Sequence, residues 1–388
     1  MYLRHLAVTD FRSWHSADVA FEPGPSVLVG SNGQGKTNLV EAAGYLATLG
    51  SHRVPTDAPL IRVGADRAIV QGAVVAAGRE LRVEVEIMPG RANRARLNGA
   101  PLTRTRELLG ALRVVVFAPE DLSIVRGDPS ERRRFLDDLV VARSPRLAGV
   151  RADYDRVLKQ RAALLKSAGA ARRSGGGGDM RTLDVWDGHL AEHGAQLLAA
   201  RLAAVQLLRP HSLAAYAQVA PRSVELTMRY NSSVAASVPE LTDTHSEWEI
   251  PPTSVLAAGL LAELARMRST ELERGVNLVG PHRDELEIGL GELPVRGYAS
   301  HGESWSVALA LRLGSYDLLR ADYPQGAEPV LVLDDVFAEL DTDRREQLAS
   351  VAAQAEQTLI TAAVASDVPA ELSGARYDVH DGAVRRVR

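Results

Sequence analysis

Gly30-Ser31-Asn32-Gly33-Gln34-Gly35-Lys36-Thr37 is the stretch that decides the fold. It fits G-x-x-x-x-G-K-[ST], a loop that cradles phosphate. Ser26-Val27-Leu28-Val29 just before it is a short apolar run that reads as a buried strand. Just after it, Leu39, Val40, Ala43, Leu46 and Ala47 recur at helical spacing. Strand, loop and helix in that order are what the motif requires. The glycines let the backbone curl so that successive N–H groups face one anion, helped by the positive end of the following helix. The expected ATP-binding run is Gly30 to Thr37 with Asn38; Lys36 can reach the β and γ phosphates and the Thr37 hydroxyl can hold Mg²⁺. Lysine is rare here (Lys36, Lys159 and Lys166), arginine supplying nearly all other positive charge. The bland alternative is an ordinary glycine-rich turn.

A second stretch answers the first. Val330-Leu331-Val332-Leu333 runs straight into Asp334-Asp335, four aliphatics and then acid. A buried parallel strand with that pattern delivers a carboxylate to a metal at its C-terminal end. In a compact mononucleotide fold the two strands sit close in sequence, whereas here most of the chain separates them. The simplest solution is an α/β ATPase head split in sequence, its two lobes meeting in one sheet around an inserted helical arm. Residues 1–128 and 275–388 are expected to form the head and residues 129–274 the arm.

Composition narrows the class. The chain is 46% hydrophobic and 24% charged, with a net charge of −4 and a pI near 6.2. That argues against a uniformly basic nucleic-acid binder, so a polyanion site must be a local patch. No cysteine is present, which excludes disulfides and thiolate metal sites. The N-terminus lacks a basic region followed by a long apolar run, and no stretch approaches the roughly 20 apolar residues of a membrane span. A cytoplasmic protein is expected.

Between the two halves the period changes. Segments 68–75, 81–88 and 94–97 have strand character, with Asn98-Gly99 as a hairpin turn. Val114-Val115-Val116-Phe117 is another candidate buried strand. From about Ser130 apolar residues fall at helical spacing: Phe135, Leu136, Leu139 and Val140, then Tyr154, Val157 and Leu165, then Leu183, Trp186, Leu190, Leu197 and Val205. Arg172-Arg173-Ser174-Gly175-Gly176-Gly177-Gly178 reads as a flexible break between two long helices. Arg126 to Arg173 holds thirteen basic and six acidic residues, densest at Arg132-Arg133-Arg134. Such a surface suits phosphate contacts without base readout. A basic helix face can equally be a solvated one. Arg91, Arg94 and Arg96 on the hairpin form a second candidate patch.

Tyr298-Ala299-Ser300-His301-Gly302-Glu303-Ser304 precedes a helical run shortly before the acidic strand. A Ser-x-Gly turn opening a helix is similar to the signature motif of ABC-type ATPases. It makes physical sense in a dimer, where the helix N-terminus and Ser300 would offer donors to the γ-phosphate held by the other copy. Standing alone, it is a good N-cap.

Taken together, these stretches resemble the RecF family, of the SMC-like ABC ATPases. The resemblance is carried by residues 30–38 with Glu41, Ser51-His52-Arg53, Leu97-Asn98-Gly99, and Phe117-Ala118-Pro119-Glu120-Asp121-Leu122. It continues through Pro129-Ser130-Glu131-Arg132-Arg133-Arg134-Phe135-Leu136-Asp137, Val279-Gly280-Pro281-His282-Arg283-Asp284 and Leu333-Asp334-Asp335-Val336-Phe337-Ala338-Glu339-Leu340-Asp341. These pieces span most of the chain in the right order, the arm's middle and the last residues matching least. The resemblance implies Thr37 and Asp334 on Mg²⁺, Asp335 orienting the attacking water with Lys36 on the phosphates, and Ser300, Gly302 and Glu303 serving the opposite nucleotide. It further implies Asp341 in an interface loop and Glu120 in a loop coupling nucleotide to the arm.

There are departures. The family's signature usually runs Ser-Gln-Gly-Gln and then a basic residue, whereas His301, Glu303 and Trp305 stand here, and a glutamate beside a γ-phosphate repels it unless it points away. Asp335 replaces the usual glutamate, one methylene shorter, so slow turnover is expected. No switch histidine follows Leu359-Ile360-Thr361.

The implied function is an ATP-dependent, DNA-binding ATPase of recombinational repair and replication restart. It would dimerise on ATP, prefer single-strand/double-strand junctions at gaps, and act with RecR in recombinase loading. Two rivals are the ATPase subunit of a transporter and a structural SMC-like tether. The basic arm and the Gly-Pro-His-Arg-Asp motif disfavour the transporter; the arm is too short for the tether.

Overall fold

The computed structural model describes residues 1–173, 180–242 and 248–388. Of the expected break at residues 172–178, residues 174–178 lie outside them. A hairpin of β1 (Tyr2–Phe11) and β2 (Trp14–Ala20) leads into β3 (Gly24–Val29), which hands the Gly-rich loop to α1 (Lys36–Thr48). Then come β4 (Ala68–Ala76), β5 (Arg79–Ile87), β6 (Arg94–Leu97), β7 (Ala100–Pro101) and β8 (Val114–Phe117). Four helices follow, α2 (Leu122–Arg126), α3 (Pro129–Arg143), α4 (Leu147–Arg173) and α5 (Met180–Val219). Next are β9 (Leu226–Asn231), α6 (Thr253–Arg274), β10 (Glu285–Leu290), β11 (Leu293–Pro294) and a single turn, α7 (Val295–Tyr298). The chain closes with α8 (His301–Asp322), β12 (Val330–Asp334), α9 (Thr342–Ala353), β13 (Gln357–Ala362), β14 (Ala375–His380) and β15 (Ala383–Arg386).

Contacts divide the described residues into two units. The first comprises Met1–Ser123, His211–Ser223 and Ser300–Arg388. It holds two six-stranded sheets, ordered β2-β1-β4-β5-β6-β7 and β15-β14-β3-β13-β12-β8. In the second sheet β3 pairs in parallel with β13, and β12 in parallel with both β13 and β8. Strands from opposite ends of the chain therefore meet in one sheet, as the split motif spacing predicts. β12 is buried on both faces, which explains its unbroken aliphatic sequence. α1 fills the space between the sheets. Its Leu39, Val40 and Leu46 share a core with Leu3, Val70 and Val83 of one sheet and Leu28, Val332 and Leu359 of the other. Each such burial contributes about 1.5–3 kcal/mol. Asn98 and Gly99 turn the β6–β7 hairpin with positive φ at both positions, the I′ geometry their sequence specifies.

The second unit comprises Ile124–Pro210 and Val224–Ala299. It contains α3, α4, α6 and most of α5, with an antiparallel sheet ordered β11-β10-β9. Here the boundaries differ from the expected 129–274. β10 pairs along its whole length with β9, from Glu285 opposite Asn231 to Leu290 opposite Leu226. That pairing draws residues up to 299 into this unit and adds strands to a region expected to be purely helical. Residues 211–223 go instead to the first unit, where Ser212 lies so close to Gly314 of α8 that a Cβ there would come within 2.5 Å of its hydroxyl. Among the described residues no helix is long and apolar enough to cross a membrane.

Candidate nucleotide-binding site

The Gly-rich loop leaves β3 under tight constraint. A Cβ on Gly30 would lie 2.2 Å from the Val379 carbonyl oxygen of β14, so glycine is required there. Gly35 has φ +93°, and a Cβ would come 2.7 Å from the indole nitrogen of Trp14. That nitrogen donates to the Gly35 carbonyl at 3.0 Å, bracing the loop from behind. Lys36 is 3% exposed and its ammonium donates to the carbonyls of Gly30 (2.7 Å) and Ser31 (3.3 Å). Ser31, Asn32 and Gly33 are exposed, leaving the crest of the loop open. Gln34 accepts from the Asp381 amide at 2.9 Å, and Asn38 donates to the Ser13 hydroxyl at 2.8 Å.

At the mouth of the parallel sheet the two motifs meet. The Thr37 hydroxyl donates to Asp334 Oδ1 at 2.9 Å, and the Thr361 hydroxyl donates to the same oxygen at 2.6 Å. Asp334 is 2% exposed. His52 Nε2 lies 3.8 Å from Asp334 Oδ2, buried and without a hydrogen bond. A hydroxyl and a carboxylate side by side beneath a phosphate loop are the hard oxygen donors that Mg²⁺ takes, so the residues present fit that ion. Asp335 sits in the left-handed region at φ +52°, its amide donating to Thr361 Oγ1 at 2.9 Å. Burial pushes its carboxyl up from the ordinary range; Asp334 and Asp367 add to this, and Lys36 opposes it. A carboxyl so placed beside Thr37 and Asp334 is suited to accept a proton from water.

Behind the loop a network joins residues that the resemblance named singly, together with Arg12, which sequence reasoning missed. Glu41, fully buried on α1, receives Arg12 at 2.8 and 2.6 Å, the Ser51 hydroxyl, and Arg53 at 3.4 Å. Arg53 also reaches Asn38 Oδ1 at 3.1 Å and Glu120 at 3.6 Å. Glu120 and Asn38 therefore share one guanidinium. Arg12 lies in the β1–β2 turn with φ +55°, and Trp14 opens β2 just after it. A non-glycine residue in that conformation is the kind of feature that marks a functional turn, but it shows only in the backbone.

The turn at Ser300 is built as an N-cap. Ser300 Oγ accepts from the Glu303 amide at 3.3 Å while the Glu303 carboxylate accepts from the Ser300 amide at 2.8 Å, a complete capping box on α8. These hydrogen bonds hold Glu303 below the usual carboxylate range. The carboxylate thus turns back onto its own helix. Arg344 lies over Gly302, donates to the Ser306 hydroxyl at 2.8 Å and pairs with Asp341, which itself caps α9.

The arginine cluster needs correction. Arg132, 6% exposed, forms a two-pronged pair with Glu285 at 2.7 and 3.0 Å and donates to the carbonyls of Ile124 and Gly127. Buried in this way, it does not present a guanidinium to DNA. Arg133 donates to the Asp284 carbonyl at 3.0 Å, and Arg134 lies 3.9 Å from Asp138. On the hairpin, Arg94 and Arg96 each face a glutamate, Glu86 at 3.8 Å and Glu84 at 3.5 Å. The Gly-Pro-His-Arg-Asp motif proves to be the partner of the arginine run. Arg201 bridges Asp137 (2.7 Å) and the Pro281 carbonyl (2.6 Å), and buried Asp284 accepts from Tyr230 (2.8 Å) and the Ser233 amide (2.7 Å).

A Gly-rich loop on a central parallel strand, an acid delivered by the strand two places along, and a second unit inserted between them define an SMC/RecF-type ABC ATPase fold. The model of the RecF/RecN/SMC N-terminal domain matches residues 2–371. The DNA replication and repair protein RecF of Frankia alni is 58% identical over 387 residues, covering 100% of both chains. That of Beutenbergia cavernae is 58% identical over 397 residues, again covering 100% of both. A solved structure of the recombination mediator protein RecF-ATP in the RecFOR pathway aligns with a TM-score of 0.87 at 27% identity, covering 100% of this chain and 98% of that one. The chain belongs to the RecF family.

Proposed function

We propose that this chain is an ATP-dependent DNA-binding ATPase of recombinational repair and replication restart. The observation that carries the reading is the junction of Lys36 and Thr37 with Asp334 and Asp335 at the C-terminal end of the parallel strands. The amides of Gly30 to Gly35 and the Lys36 ammonium bind the phosphates, and Asn38 closes the run. Thr37 and Asp334 hold Mg²⁺, which supplies charge neutralisation for phosphoryl transfer. Asp335 orients the attacking water and takes its proton; its short side chain and partial burial suit slow turnover. Ser300 and Gly302 serve the nucleotide of a second copy, with Asp341 in the contact loop. Glu303 gives that contact through the cap it forms, not through its charge. ATP joins two copies on DNA at single-strand/double-strand junctions, and hydrolysis releases them. RecR is the expected protein partner and the cytoplasm the expected compartment, consistent with relatives named as RecF and a RecF-ATP structure assigned to the RecFOR pathway.

Molecular mass by light scattering tests this reading. Wild type and Lys36→Met are compared with Mg²⁺-ATP and gapped duplex present or absent. Dimerisation that requires ATP, rises with DNA and is lost in the variant is expected. Mass and DNA affinity indifferent to nucleotide would overturn it.

A further inference from the structure

The second unit carries a side-chain cluster that the nucleotide site does not use. His189, Glu192 and His193 stand on α5 at spacings of three and one, so all three share one helix face. Their ligand atoms lie within 4.8 Å of one another. His189 and His193 are one turn apart, the i, i+4 placement in which two imidazoles on a helix hold a single metal ion. His189 Nδ1 is already 3.9 Å from Glu192 Oε2. Both side chains are more than half exposed, at 52% and 64%, so an ion has open access. Trp186, one turn earlier, sets its ring against that of His189 edge to face, with centroids 6.0 Å apart. This contact restricts the imidazole before any ion arrives and lowers the entropy cost of binding.

We propose that His189, Glu192 and His193 bind one divalent transition ion of the Zn²⁺ class, with the remaining coordination position left to water. Two imidazoles and a carboxylate favour Zn²⁺, Ni²⁺ or Cu²⁺ over Mg²⁺ or Ca²⁺, which take all-oxygen shells. Zinc–nitrogen bonds of about 2.0–2.1 Å at a tetrahedral angle put two donors on one ion roughly 3.4 Å apart. Closing the present spacing asks for up to about 1.5 Å of movement, within a rotamer adjustment of exposed side chains. As a plain solvated helix face, the same residues would hold one loose surface pair worth little. The site is chemically separate from the oxygen donors Thr37 and Asp334 of the first unit.

The test uses the full-length protein, stripped with a chelator and titrated with ZnCl₂ against a chromophoric indicator. Wild type is expected to take up one Zn²⁺ that the His189→Ala/His193→Ala double variant does not. Loss of two direct ligands should weaken binding by more than the about 10–100-fold that follows loss of a supporting partner. Zn²⁺ should raise the melting temperature of wild type and leave the double variant unmoved. Glu192→Gln, an exposed change that leaves the fold intact, should bind with intermediate affinity. Mg²⁺-ATP hydrolysis without added Zn²⁺ should be the same in all three proteins. Equal Zn²⁺ affinity in wild type and double variant, or no uptake by wild type, overturns the proposal.

Discussion

Thr37 Oγ1 and Asp334 Oδ1 lie 2.9 Å apart although 297 positions separate them in the chain. This hydrogen bond ties the helix after the loop to the end of β12 and fixes two oxygen donors where the phosphates must end. Asp334→Asn removes the negative charge and one oxygen donor from that pair. ATP hydrolysis is expected to fall by about 10²–10³-fold, some 3–4 kcal/mol of lost transition-state stabilisation. Binding of a fluorescent nucleotide without Mg²⁺ should persist, since the loop amides and Lys36 are untouched. Phosphate release measured with and without Mg²⁺ checks this, and an unchanged rate would remove Asp334 from the site.

Glu303 and Ser300 exchange hydrogen bonds in a capping box, and a glutamine can make the same pair of contacts. Glu303→Gln should therefore leave thermal stability unchanged, whereas Glu303→Ala should cost about 0.5–1 kcal/mol. Because the cap and not the charge serves the opposite nucleotide, Glu303→Gln should dimerise at the ATP concentration of wild type and Glu303→Ala only at a higher one, read by light scattering. Equal ATP midpoints for all three proteins would place Glu303 outside the contact.

How much of this was legible in the sequence depended on whether a residue's partner was local. The loop, the aliphatic strand ending in Asp334 and the Asn98-Gly99 turn each carry their reason within a few residues. The alternation of Leu226, Met228 and Tyr230 was present too, but its strand exists only because Glu285 to Leu290 returns to pair with it. Arg132 shows the converse. Its place in a run of three arginines suggested an exposed charge, while its partner Glu285 stands 153 residues away. Arg12 holds Glu41 of α1 and Trp14 braces the loop, from a turn and the strand after it whose sequence carries no such instruction.

That burial of Arg132 gives a prediction opposite to a DNA-contact role. Arg132→Ala leaves Glu285 and two carbonyls without their partner, a change that costs about 3 kcal/mol. Arg134→Ala, on a half-exposed side chain, should change stability by less than about 1 kcal/mol. Thermal unfolding of the two variants separates them. If Arg132→Ala keeps its melting temperature and loses only DNA affinity, the residue is a contact after all.

His282 supplies a pH test of the second unit. Its Nδ1 faces the Tyr154 hydroxyl at 2.8 Å, with the Asn277 carbonyl 3.4 Å from Nε2. Burial pushes its pKa down to about 4, and the neighbouring guanidinium groups of Arg283, Arg133 and Arg161 reinforce the shift against the opposing Asn277 carbonyl. The folded imidazole therefore stays neutral at pH values where the unfolded one, near 6.5, takes a proton. Stability from this group is complete above about pH 6.5 and is lost progressively as pH falls toward 4, by about 3 kcal/mol in all. Carboxylates titrate over part of the same range, so the informative quantity is a difference. The stability gap between wild type and His282→Gln should shrink by that amount between pH 7 and pH 4, because glutamine does not titrate. A gap constant with pH would mean that His282 is solvated enough to ionise in the folded protein.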